Sequence, residues 1–332
     1  MEEFAVREGL SAAVNVANGN LVVRDTDLKF NALGMATRWD RFYNGLATRT
    51  GAFSGKWSLG GGQDVGLEIA TSSVVFRGPS GFRATFTGSG STWTAPAGMN
   101  AKLTKNGDGT WKLRTNGSGE TMTFTAGGFL TTHTDRNGVG LSYFYDASNR
   151  VTSVKDAAGR VSTFTYDASS RITKIADSAN RSITYTYDGA GRLASSINAA
   201  GDKTSYSYDA NGRLSRIATA RGVTLGIEYA TGGRVSKVIR YTGLNAGGDA
   251  QATEFAYPSA TTTTEKNPKG ATTTYTLDSS GRVTKVADPL GHARSATWTA
   301  NSTVATTTDA MGTGGTGGNV TSYTWDSANN PT

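Results

Sequence analysis

The stretch Tyr185-Thr186-Tyr187-Asp188-Gly189-Ala190-Gly191-Arg192-Leu193 decides the fold, because its pattern returns along the chain at a fixed interval. The pairs Tyr145-Asp146, Tyr166-Asp167, Tyr187-Asp188 and Tyr208-Asp209 stand 21 residues apart, and Tyr229, followed by Ala230, continues the series. An arginine lies five residues beyond each tyrosine: Arg150, Arg171, Arg192, Arg213 and Arg234. Later copies degenerate to Leu277-Asp278 with Arg282, then Trp298, then Trp325-Asp326. A second mark runs out of phase at the same period, an Asp or Asn followed three residues later by glycine. It ends at Gly138, Gly159, Gly201, Gly270 and Gly291; Thr219 leads to Gly222, and Asp177 leads to Asn180. Two interleaved marks on one period identify a repeat array.

The chemistry of the marks predicts their structure. Asp or Asn caps a turn through its side chain, and glycine supplies positive φ, with Asn a workable substitute. Between the turns, Val161 to Tyr166 alternates, with Phe164 and Tyr166 on one face and Thr163 and Thr165 on the other. Ile183/Tyr185/Tyr187 and Tyr206/Tyr208 repeat this period of two, the strand signal. Each repeat therefore reads as one hairpin of 21 residues. Its second strand is less regular. Apolar residues fall one and four places after the arginine: Val151/Val154, Ile172/Ile175, Leu214/Ile217 and Val235/Val238, with Leu193/Ile197 slipped by one. A bulge would put both on one face; one turn of helix also fits, but helices this short between glycine turns are uncommon.

Composition agrees with an all-β chain. Glycine accounts for 43 of 332 residues, well above average usage, while proline is scarce at 6, so this is no proline-rich linker. Thr, Ser and Tyr favour pleated surfaces. There is no cysteine, which removes disulfides and cysteine zinc sites. The net charge of +7 is spread along the repeats instead of clustering among aromatics, which argues against a nucleic-acid face. No run approaches a membrane span, and Met1 to Leu10 carries no signal-peptide pattern.

Nothing assembles into a catalytic motif. His133 and His292 have no partner at metal-ligand spacing. No G-x-S-x-G elbow supports a serine nucleophile. Gly51 to Trp57 carries a Gly-Lys without phosphate-loop spacing, and Gly60-Gly61-Gly62 lacks a glycine at 65. The turn at Asn106-Gly107-Asp108 lacks the glutamate of a calcium loop, position 117 being glycine. The expectation is no catalytic residue, metal or cofactor. Rows of tyrosine read as sheet packing, with a sugar-binding ladder as the alternative. Insertions at Gly243–Asp249 and Gly312–Gly318 stretch two repeats and map to one rim.

The pattern Y-x-Y-D-x-x-G-R-L, at Tyr185 to Leu193 and again at Tyr206 to Leu214, resembles the YD repeat of Rhs proteins, Tc-toxin shell subunits and teneurins. Val14 to Val23, Trp39 to Asn44 and Gly51 to Trp57 resemble the segment that precedes the repeats in bacterial Rhs and wall-associated proteins. Hairpins are expected at Val74–Phe86, around Gly78-Pro79-Ser80-Gly81, and at Leu103–Leu113, around Asn106 to Gly109. The resemblance divides the chain into 1–130, an N-terminal β-rich segment, and 131–332, a YD-repeat segment truncated inside a repeat. It implies a long antiparallel sheet spiralling as an incomplete shell, in a secreted or cell-surface protein that encloses or presents a C-terminal effector. The implied partners are the missing core and toxin domain, with self-association at open sheet edges and glycan binding as further expectations. The family's self-cleaving core has no counterpart here; Asp288-Pro289-Leu290-Gly291 lies on the repeat register and reads as an ordinary turn.

Overall fold

The computed structural model describes residues 1–31, 34–220, 222, 224–241, 250–310, 318–326 and 329–332. Both insertions noted above, at 243–249 and 312–317, lie outside the described residues. Strands are the dominant element, and the only helical elements among the described residues are two short 3-10 turns, Gly62–Asp64 and Pro79–Gly81. No helix is long and apolar enough to cross a membrane.

Five strands form a sheet in sequence order: β1 (Glu2–Arg7), β2 (Leu10–Val14), β3 (Leu21–Phe30), β4 (Thr37–Asn44) and β5 (Trp57–Leu59). From Gly66–Ile69 to Val320–Ser322 the remaining 25 strands pair neighbour to neighbour in one antiparallel sheet, which is not closed into a barrel. At its start the sheet touches itself once, where Leu67 N–H donates to Gly128 O at 2.9 Å. A Cβ on Gly128 would lie 2.2 Å from Leu67 O, so this approach requires glycine. The chain divides into two compact units. The larger holds residues 7–11 and 22–206, the smaller residues 1–6, 12–21 and 207–332.

Each hairpin follows from its turn residues. Strand Gly140–Tyr145 pairs with Val151–Lys155, Val161–Tyr166 with Ile172–Ala176, and Ser182–Tyr187 with Leu193–Ile197. In all three the register shifts at the motif tyrosine, so one residue of the second strand bulges out. That bulge places the first and fourth residues after the arginine on one buried face, as at Val151/Val154 and Ile172/Ile175. The apparent slip at Leu193/Ile197 is corrected by the structure. Ser196 takes the fourth position opposite Tyr185 and is buried, while Ile197 is half-buried. The hairpins around Pro79 and Asn106 form with the expected partners, Val74 opposite Phe86 and Leu103 opposite Leu113.

Candidate functional site

Both turn marks build the same device. In the Tyr145-Asp146 turn, Asp146 Oδ1 accepts the N–H groups of Ser148 and Arg150, and Arg150 Nε donates to Asp146 Oδ2 at 2.8 Å. Asp167/Arg171, Asp188/Arg192 and Asp209/Arg213 repeat it. So do Asp156/Arg160 and Asp177/Arg181 in the out-of-phase turns, where sequence reading finds the capping Asp and the positive-φ residue but not the arginine. The Asp-x-x-x-Arg spacing was the available signal. The residue before the arginine carries positive φ: Gly191 and Gly212, or Asn149 and Ser170 in their place. Gly138, Gly159, Gly201, Gly222, Gly270 and Gly291 do the same in the alternate turns, with φ from 78° to 87°. Asp288 closes one such turn on His292, and His133 is half-buried beside Glu120.

The tyrosine and the arginine of neighbouring repeats meet. Tyr166 OH donates to Val151 O at 2.8 Å, Tyr187 OH to Ile172 O, Tyr145 OH to Leu130 O and Tyr229 OH to Leu214 O. The guanidinium of Arg150 lies over the Tyr166 ring, Arg171 over Tyr187 at 4.2 Å, Arg213 over Tyr229 and Arg234 over Tyr257. Tyr208 ends its strand half-buried. Where tyrosine gives way to tryptophan, the indole N–H does the same work: Trp298 to Val283 O and Trp325 to Val304 O. At Tyr166, Tyr187, Tyr229, Tyr257 and Trp298 one repeat is thus tied to the next by one hydrogen bond and one cation–π contact, worth about 1 kcal/mol apiece. We expect Tyr166→Phe to lower stability by about 1 kcal/mol through the lost Val151 bond, and Tyr187→Phe by a similar amount, with near-additive effects in urea titrations.

The most unusual cluster was not singled out from sequence. Strand β4 alternates so that Trp39, Arg41 and Tyr43 face inward, while Asp40 faces out to Arg24 and Arg38. Asp25 on β3 sits directly across from Arg41. A register shift between Thr26 and Leu28 lets Asp27 and Leu28 both turn inward. Arg41 is fully buried and donates through Nη2 to Asp25 at 2.9 Å, Asp27 at 3.1 Å, Tyr206 OH at 3.0 Å and Ser196 Oγ at 3.3 Å. Tyr185 OH donates to Asp27 at 2.7 Å, and Arg7 reaches Asp25 from the rim. Four rings, those of Phe53, Trp57, Tyr185 and Tyr206, surround the guanidinium at 5.1–5.6 Å. Its Nη1, buried without a hydrogen-bond partner, sits in this aromatic cage. The signal that could have found it is a lone arginine between Trp39 and Tyr43 on an apolar strand face.

This node belongs to a line of attachments between the N-terminal segment and successive repeats of the larger unit. Trp39 Nε1 donates to buried Ser162 Oγ at 2.9 Å and its ring packs edge-on against Phe164 and Tyr143. Phe53 packs on Tyr185 and Trp57 on Tyr206. Tyr143, Phe164, Tyr185 and Tyr206 are the residues two places before the motif tyrosine, spaced 21 apart. The first amides of two second strands are also claimed: Val151 N–H by Gln63 Oε1, Ile172 N–H by Ala52 O. In the smaller unit Val235 N–H goes to Gly19 O, and Thr263 Oγ1 donates to Val16 O. Gly19 has φ of 69°, and a Cβ there would strike Arg234 and Tyr257.

Electrostatics fit a lock more than a reaction centre. Burial pushes Asp27 up to about 6 despite Arg41, and pushes Asp64 up to about 6 although Ala52 and Leu59 amides bind it. Burial also drives Tyr185 and Tyr206 upward. A carboxyl near neutral pKa beside phenols has the composition of an acid–base site, but this carboxyl is buried from solvent. Among the described residues no group of three His, Asp or Glu side chains could hold a metal. The turn carboxylates move the other way. The amide and guanidinium of Arg150 hold Asp146 low; at Asp167, Asp188 and Asp209 burial opposes ionisation, but the same two donors outweigh it. The signs predict a stability maximum in mild acid. Asp27 and Asp64 favour folding when protonated, a gain lost as pH rises through about 6. The turn aspartates favour folding when ionised, a gain lost as pH falls below about 4. We expect the melting temperature to rise from pH 8 to 5 and fall below 4.

A family model described as Teneurin YD-shell matches residues 118–287, and one for a domain of unknown function, DUF6531, matches residues 11–86. No curated protein matches the chain. Among solved structures, similar chains occur in the crystal structure of TcdB2-TccC3-Cdc42, at 12% identity and TM-score 0.38 over 97% of this chain and 20% of that one. Another occurs in a Photorhabdus luminescens Tc holotoxin pore carrying a TccC3 mutation, at 13% identity and TM-score 0.38 over 96% of this chain and 18% of that one. The chain spans about a fifth of the length of these structures' chains.

Proposed function

The chain belongs to the teneurin YD-shell family, and from that premise we propose that it is a non-catalytic structural shell segment of an Rhs-type exported protein, which encloses or presents a C-terminal effector. The observation that carries this reading is the use to which the repeated residues are put. Aspartate and arginine close most of the Tyr-Asp turns, and tyrosine and arginine tie several repeats to the next. That leaves the motif no free acid, base or nucleophile directed at a substrate. The carbohydrate-ladder alternative finds less support, since the tyrosine hydroxyls are spent on backbone carbonyls and an arginine covers one face of several rings. The test is limited proteolysis of the full-length gene product containing this chain. We expect its C-terminal segment to resist protease in the native protein and to become sensitive when Tyr166, Tyr187 and Tyr229 are changed together to phenylalanine. Cleavage at the same rate in both proteins would contradict the proposal.

A further inference from the structure

The inward face of the repeat strands changes character along the smaller unit. At Leu214/Ile217 and Val235/Val238 the first and fourth residues of the second strand are fully buried. At Val283/Val286 and Val304/Thr307 the same positions are half-exposed. The residue two places before the motif aromatic is Ile227, then Phe255, both buried, but at Trp298 it is Ala296. The small side chain leaves a groove of about 450 Å³, lined by Val283, Val286, Arg294, Ala296, Thr307 and Thr321 among others. These residues share a face, since Val286 pairs with Arg294 and Thr307 pairs with both Ala296 and Thr321.

Arg294 is the chemical anomaly in this groove. The equivalent position opposite the fourth residue holds Leu225 and Thr253, both buried and neutral. Arg294 is exposed, and among the described residues no carboxylate lies within ion-pair distance of it. Asp309, the carboxylate on the groove wall, is engaged by Asn319 through backbone and side chain. The neighbouring stretch of the same face shows what covers such strands. There the loop Asn15–Asn20 delivers Gly19 O to the Val235 amide and Val16 O to Thr263, and Ala17 comes close to Gly281. Among the described residues, nothing outside the sheet delivers a carbonyl to the corresponding amides of Val283 and Val304.

We infer that this groove is a docking site for an acidic, extended polypeptide loop, which places a carboxylate on Arg294 and backbone carbonyls on the Val283 and Val304 amides. The occupant continues the cover that Asn15–Asn20 begins, with charge complementarity added at the one position where the face becomes cationic. The inference rests on the shell reading, in which the uncovered strands receive another polypeptide segment.

The test uses the full chain and two capped, fluorescent hexapeptides, the Asn15–Asn20 sequence and the same sequence with A17D. We expect the acidic peptide to bind about tenfold tighter than the neutral one, the size of one charge pair. R294E should remove that preference, and A296Y, which refills the groove, should abolish binding of both. Hydrogen exchange should slow at the Val283 and Val304 amides when the acidic peptide is present. Equal binding of the two peptides, or binding indifferent to both variants, would overturn the inference. So would a doubling of mass in light scattering that A296Y abolishes, since the occupant would then be a second copy of this chain. Peptide failure with intact protease protection of the C-terminal segment removes the groove and leaves the shell reading; the reverse result removes the shell reading alone.

Discussion

Replacing Arg41 with methionine is expected to destabilise the protein by about 3–5 kcal/mol, because it leaves Asp27 without a cation, and Asp25 with one fewer, in a site closed to water. That is a large part of the roughly 5–15 kcal/mol that holds a typical domain together. The loss should show in urea melts and as a cooperative drop in melting temperature. Much of it reflects the uncompensated carboxylates, not the net worth of the ion pairs. The double variant R41M/D27N, which also removes the buried charge on Asp27, should therefore recover a substantial share. Asp25 keeps Arg7 as a partner at 2.8 Å, which makes Asp27 the one to neutralise. The same double variant should flatten the stability gain between pH 8 and 5, leaving only the part that Asp64 supplies. A single R41M variant as stable as the native protein would mean that the node is not formed.

The second large effect is at Trp39. Trp39→Ala should cost about 3–5 kcal/mol, the range for emptying a buried aromatic site. It removes edge-on packing with Phe164 at 5.0 Å and Tyr143 at 6.5 Å, and it leaves the buried Ser162 hydroxyl without its indole donor. Trp39→Phe separates the two parts. It keeps most of the apolar packing and loses the hydrogen bond, at about 1–3 kcal/mol. Adding Ser162→Ala should then restore some of that loss, because no buried polar group remains unpaired. A double-mutant cycle on Trp39 and Ser162 reads the coupling directly.

The repeat array was legible in the sequence because its determinants are local. Tyr187-Asp188 and Gly191-Arg192 fix a turn by side-chain bonds within five residues, so spacing alone reveals them. The bulge was open to sequence reading only as one choice among several, since Val151 and Val154 at a spacing of three suit a bulged strand, a strand buried on both faces or a helical turn, with strand the preferred reading. Pairing at Tyr145 decides it. Ile197 is read in place of Ser196 because the polarity of Ser196 reflects a partner more than 150 residues away, the Arg41 guanidinium, which no local pattern announces. The node as a whole stayed hidden for the same reason. Its residues come from strands β1, β3, β4 and β5, from Phe53 and from two separate repeats, and only the fold brings them together. The role of Ala52 is a backbone role, delivered through a carbonyl that any residue carries, so composition holds no trace of it.

The N-terminal segment covers and locks repeat strands of the chain. Hydrogen exchange followed by mass spectrometry, on the native protein and on R41M, tests this most directly. We expect the Val151, Ile172 and Val235 amides, which the N-terminal segment caps, to exchange far more slowly than those of Val283 and Val304. In R41M, protection of residues 143–206 and 21–44 should fall together. Equal protection of all five amides, or repeats that keep full protection when Arg41 is replaced, would contradict the account.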